Sequence, residues 1–284
     1  MIGFYLLGDM GSGDNDQLRV AETLTSHIKG NKKNGLFVCG LGDNIYEEGC
    51  TSVDDEQFNE KFETPYKDID DTIKFYMCLG NHDYGYSIFN KTGNSLNQIN
   101  YGILSQQNNK KWYMPSNYYT FQKGDIEFFV LDTNFKNLTN DEINIQLEYF
   151  INKLKKSKKK WKILMGHHTL RSVGGHGNAG PEMEDFFHKL LDKCSFDIYM
   201  CGHDHNKQVI NSKINGKDIT MIVCGTGGKV YNKETNLSNL NEGELEFCSS
   251  NLGYSYCVQK KNSLEFDFFD GDNNFEYKSI FKSF

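Results

Sequence analysis

The sequence predicts an α/β protein in which two facing mixed β-sheets are flanked by helices. Three observations predict it: short apolar runs that end in Gly plus a polar residue, helix-like segments between them, and later stretches with hairpin-like alternation. The runs cover residues 2–7 before Gly8-Asp9, 36–41 before Gly42-Asp43, 73–79 before Gly80-Asn81, 161–165 before Gly166-His167 and 196–201 before Gly202-His203. Helical spacing joins Leu18, Ala21, Leu24 and Ile28, and again Leu147, Phe150, Ile151 and Leu154. Strands alternating with helices imply a parallel sheet, whose functional groups gather in the loops leaving the carboxyl ends of the strands. The stretches 118–131, 208–223 and 253–281 imply a second sheet packed on the first. Residues 83–113, polar and Asn-rich with Ile88, Phe89, Leu96, Ile99, Ile103 and Leu104, read as a loop, then a helix, forming a wall of the site. Residues 229–250 read as a long surface loop.

The chain has 284 residues, enough for one large domain or two ordinary ones, and its 21 Phe and 16 Tyr supply ample core material. A net charge of −7 argues against a general role on nucleic acid or anionic lipid. The lysines at 153, 155, 156, 158, 159 and 160 follow an amphipathic segment and read as a solvated helix C-terminus, where cations suit the dipole. No apolar run approaches a membrane span, and residues 1–7 read as a strand without a basic leader. A cytoplasmic location is therefore expected, or a secreted or lysosomal one if the N-terminus is truncated. The eight cysteines show no CxxC spacing; Cys39, Cys78, Cys201 and Cys224 lie in apolar runs and read as buried thiols, with a Cys248–Cys257 disulfide left open. Sequons at Asn90, Asn137 and Asn236 carry little weight in an Asn-rich chain.

Taken singly, Gly plus a polar residue after a strand is ordinary turn chemistry. Asp9 and Asp43 could cap, Asn81 could turn the chain and Tyr46 could be a buried aromatic. Five such turns in order say more: Gly8-Asp9-Met10-Gly11, Gly42-Asp43-Asn44-Ile45-Tyr46, Gly80-Asn81-His82-Asp83, Gly166-His167-His168 and Gly202-His203-Asp204-His205. This ordered set resembles the calcineurin-like metallophosphoesterases, and Tyr46 gives it the look of their purple acid phosphatase branch. The likeness to the small tartrate-resistant enzymes of animals covers most of the chain, through Leu41–Tyr46, Leu79–Asp83, Leu131-Asp132-Thr133 and Cys201–Asn206. Those enzymes usually carry a signal peptide and a longer insertion after the Leu-Asp-Thr strand, and neither is seen here.

The resemblance implies a four-layer sandwich and a pair of metal ions. Asp9, Tyr46 and His205 would hold the first, Asn81, His167 and His203 the second, and Asp43 would bridge both. Three anionic oxygen donors suit Fe(III); one carboxylate, an amide oxygen and two imidazoles suit Fe(II), Zn or Mn. Because residues from Asp9 to His205 must converge, residues 1–284 are expected to form a single domain. The implied reaction is hydrolysis of a phosphate monoester, on a small molecule or a phosphoprotein, with metal-bound hydroxide as nucleophile. His82 is the expected proton donor to the leaving group, Asp83 its tuning partner, and His176 a second histidine in the substrate pocket. His168 and Arg171 receive no assigned role. Phosphodiesters or nucleotides are alternative substrates, and a non-catalytic binding protein on the same scaffold is the alternative from another class. The protein Ser/Thr phosphatase turn Gly-Asp-x-x-Asp-Arg-Gly is not matched, since Asn44-Ile45-Tyr46 follows Asp43.

Overall fold

A computed structural model describes residues 2–31, 35–85, 94–231, 235–240 and 243–283. Two seven-stranded mixed sheets pack face to face. The first begins with β1 (Gly3–Leu7), β2 (Phe37–Gly40), β3 (Phe75–Met77) and β4 (Trp112–Tyr113), paired in parallel in that order. The second is started by the antiparallel pair β5 (Tyr119–Lys123) and β6 (Ile126–Val130). Parallel to β6 and to each other run β7 (Trp161–Met165), β8 (Ile198–Cys201) and, after the hairpin strand β9 (Lys207–Ile214), β10 (Lys217–Cys224). All five apolar runs ending in Gly and a polar residue are strands here: three in the first sheet, two in the second.

Helix α1 (Asn15–Gly30) starts where the Asp14 side chain accepts the N–H groups of Asp16 and Gln17. It buries Val20, Ala21, Leu24 and Ile28 on the outer face of the first sheet, whereas Leu18, expected in that stripe, is 45% exposed. A capping box between Thr139 and Glu142 opens α3 (Asn140–Lys156), and Pro181 opens α4 (Pro181–Lys193). Both lie on the second sheet through Leu147, Phe150, Phe187 and Leu191. Between the sheets, Phe4, Phe37, Phe128, Ile163, Met200, Phe266 and Phe268 form a shared core, with Phe4 and Phe37 stacked at 5.2 Å. The layers are therefore α/β/β/α.

Three expectations are corrected. The C-terminal strands β12 (Gly253–Gln259), β13 (Ser263–Asp270) and β14 (Phe275–Lys282) extend the first sheet, because β12 pairs antiparallel with β1. The supposed loop 229–250 holds an edge strand, β11 (Gly243–Ser249), against β9. Lys158 to Lys160 lie beyond α3, where Lys159 and Lys160 bond the carbonyls of Gly124 and Lys261. The expected helix in 83–113 is α2 (Asn94–Gln107); Ile88, Phe89 and the Asn90 sequon lie outside the described residues. All eight cysteines are free thiols. No helix among the described residues is long and apolar enough to cross a membrane.

One buried ion pair staples the two sheets. Lys207 on β9, fully buried, places Nζ 2.7 Å from Glu276 Oε2 on β14, 3.1 Å from the Leu252 carbonyl and 2.9 Å from that of Phe269. Removing the amine strands a largely buried carboxylate and two carbonyls. Lys207→Met is expected to cost about 3–5 kcal/mol, read as a lowered denaturant midpoint, and Lys207→Met/Glu276→Leu to recover part of it.

Candidate metal centre

The five Gly-polar turns leave the carboxyl ends of β1, β2, β3, β7 and β8 at one end of the sandwich. Three of the expected ligands, Asp9, Asp43 and His203, sit there at positive φ (55°, 50° and 68°), a conformation uncommon outside glycine and enriched at functional sites. The neighbouring glycines are set by contact. A Cβ on Gly80 would stand 2.1 Å from Asp43 Oδ1, and one on Gly202 would stand 2.4 Å from Asp9 Oδ2. Backbone therefore touches the carboxylates directly.

All seven expected ligands meet at this end. Tyr46 Oη lies 3.0 Å from Asp9 Oδ1 and 3.2 Å from His205 Nε2, which is 3.3 Å from Asp9 Oδ1. His167 Nε2 lies 3.1 Å from Asn81 Oδ1, 3.2 Å from His203 Nδ1 and 3.4 Å from Asp43 Oδ2. Two subsets thus emerge, Asp9–Tyr46–His205 and Asn81–His167–His203, with Asp43 beside them. Donor atoms of Asp9, Asp43 and His205, all buried, lie within 4.8 Å of one another, a group able to hold a metal ion. His167 Nδ1 bonds the Leu41 carbonyl at 2.9 Å, which directs Nε2 into the site.

The electrostatics fit a cation. Burial pushes the Tyr46 phenol well up, and Asp43 and Asp9 push it further, so the phenolate requires a compensating positive charge. Burial opposes the charge on His167, but Asp43 outweighs it and lifts the ring to about 9. Burial acts against the Asp43 carboxylate too, yet His167 and His82 hold it well below the usual range. Burial and the surrounding histidines drive His203 far down. Lys229 Nζ stands 3.8 Å from the Tyr46 ring centroid and 2.6 Å from Glu47 Oε1.

Beside the donors opens a cavity of about 450 Å³. His82 and His176 both line it, as expected. His82 Nε2 is 3.9 Å from Asp43 Oδ2, while its Nδ1 meets the Glu47 carbonyl at 2.6 Å. His176 is exposed, its ring 4.1 Å from that of His203 and its backbone N–H bonded to Asp204 Oδ1.

Asp83 does not tune His82. The 3₁₀ turn His82–Tyr84 sends the two side chains apart, and the Asp83 carboxylate accepts the N–H groups of Asn44, Ile45 and Gly80 and the amide of Gln98. Burial and nearby Asp43 raise it to about 6. Its work is to tie the β2 and β3 turns together. Arg171, paired with Glu184 on α4 and bonded to the Leu170 carbonyl, is likewise occupied away from the donors. His168, for which no role is expected, lines the cavity beside His203 and bonds Thr133. Tyr231, which lies in no motif, stacks on the His205 ring at 4.2 Å.

The calcineurin-like phosphoesterase family matches residues 2–207. Purple acid phosphatase 7 of Arabidopsis thaliana is 27% identical over 98% of this chain and 85% of its own length. Tartrate-resistant acid phosphatase type 5 of Oryctolagus cuniculus is 26% identical over 86% of this chain and 78% of its own. Among solved structures, GAP50, the anchor in the inner membrane complex of Plasmodium, aligns over 99% of this chain and 89% of that one, with a TM-score of 0.76 at 21% identity. At that identity the likeness speaks for the fold alone.

Proposed function

Since the chain belongs to the calcineurin-like phosphoesterase family, we propose that it hydrolyses phosphate monoesters at two metal ions, Fe(III) with a divalent Fe, Zn or Mn. The observation that carries this reading is the convergence of seven donors from five turns into two subsets flanking Asp43. Asp9, Tyr46 and His205 would hold the first ion, Asn81, His167 and His203 the second, and Asp43 would serve both. Bound there, the pair would supply Lewis acidity toward the phosphoryl oxygens and toward water.

The chain's own residues perform the rest. The Nδ1 contact of His82 with the Glu47 carbonyl places a hydrogen on Nδ1. A protonated His82 can therefore give its Nε2 proton to the departing oxygen as the P–O bond breaks, and is left as the neutral Nδ1–H tautomer. His176, on the cavity wall, is the second donor for phosphoryl oxygens. GAP50 is described as an anchor, and a binding role on this scaffold is the competing reading. The complete donor set here favours hydrolysis.

Metal quantification with assays on phenyl phosphate and its diphenyl ester tests the proposal. Two ions per chain and preference for the monoester are expected; a metal-loaded protein inert toward both esters would overturn it. The ferric assignment has its own readout. The iron-loaded protein should carry a visible tyrosinate-to-ferric band that Tyr46→Phe abolishes, and a fully active, colourless two-zinc protein would remove the ferric ion from the scheme.

A further inference from the structure

We propose that His168 binds substrate, presenting a fixed Nε2–H donor to a phosphoryl oxygen in the cavity. The inference rests on the phosphatase reading above and adds a residue to the same site. It starts from Thr133, just past β6. The Thr133 hydroxyl oxygen accepts the backbone N–H of His167 at 3.2 Å and that of His168 at 3.0 Å, which occupies both of its lone pairs. Its single hydrogen is then left for its third neighbour, His168 Nδ1 at 2.9 Å. Nδ1 is thereby an acceptor, and the neutral ring carries its hydrogen on Nε2.

The rest of the surroundings hold this tautomer in place. The His168 carbonyl accepts the Tyr199 hydroxyl at 2.6 Å, so the residue's backbone is fixed on both sides. Its ring packs 4.5 Å from that of His203 and 5.1 Å from that of His167. Nε2 has no protein partner among the described residues, and the half-buried ring stands on the cavity wall with Asn81, His82, His176 and His203. A donor locked at one end and open to a cavity at the other is preorganised for an anionic oxygen, because its orientation costs nothing on binding. His82 differs: its Nδ1 bonds a carbonyl and must donate, so the proton it can exchange is the one on Nε2. The geometry thus divides two labours, proton transfer by His82 and neutral donation by His168.

The test uses the full-length, metal-loaded protein, with inorganic phosphate as the binding probe in calorimetry and phenyl phosphate as the substrate. His168→Phe is expected to keep two metals per chain, to weaken phosphate about ten- to hundredfold and to raise KM more than it lowers kcat. His168→Gln, which retains a carboxamide N–H, should recover most of that affinity, and Thr133→Val should lose part of it. Wild-type phosphate affinity in His168→Phe would overturn the inference, as would loss of metal in His168→Phe that His168→Gln fails to restore. The two readings fail separately. A wild-type protein that binds phosphate but cleaves no ester sinks the phosphatase reading while the affinities still decide His168; one that binds no phosphate overturns the role of His168.

Discussion

Asp43→Asn should abolish phosphoester hydrolysis, by about a thousandfold or more, and release both metal ions together. Asp43 lies beside both donor subsets, 3.4 Å from His167 Nε2 on one side and within 4.8 Å of Asp9 and His205 on the other. In the proposed arrangement the amide would remove the one negative charge that both ions would share. A thousandfold corresponds to about 4 kcal/mol, the scale of charge stabilisation that a metal pair offers a phosphoryl group. Replacing any other ligand should empty one position first. Metal analysis on the purified variant, with circular dichroism to confirm folding, separates these outcomes, and a variant that retains both ions and full turnover would dismiss the bridging role.

The second large effect is on His82. His82→Ala is expected to slow hydrolysis of alkyl phosphates by about 10²–10⁴, the range for loss of a general acid. With nitrophenyl phosphate, whose leaving oxygen hardly needs a proton, the loss should be much smaller. That contrast is diagnostic, since a ring that merely bound phosphate would slow both substrates alike. Equal losses on the two esters would move His82 from proton donor to binding group.

The chemical end of the fold was legible because each strand finishes in a turn whose glycine is imposed by contact. Gly80 and Gly202 press against Asp43 and Asp9, leaving no room for a side chain, and the expected ligand follows at once in sequence. Such local constraints survive in a single sequence. Sheet membership did not, because β12 joins β1 through backbone hydrogen bonds that side-chain alternation does not encode. The edge strand β11 was hidden by its half-exposed pattern, and Leu18 by a one-residue shift of the helical stripe. Adjacency misled at Asp83, where a 3₁₀ turn sends neighbouring side chains in different directions. His168 was silent for the opposite reason: what orients it, Thr133, lies 35 residues earlier in the chain.

The bond that closes the donor ring, from the His203 N–H to Asp9, joins residues 194 positions apart. Contacts of such separation form late, since the chain between them must first be ordered. During synthesis the parallel strands β1 to β3 emerge with Asp9, Asp43 and Asn81 before His203 and His205 have been made. A nascent or prematurely terminated chain ending before β8 then offers Asp9, Asp43, Asn81 and His167 without His203 and His205. Metal binding that needs both of those imidazoles would therefore wait until the chain beyond β8 has been made.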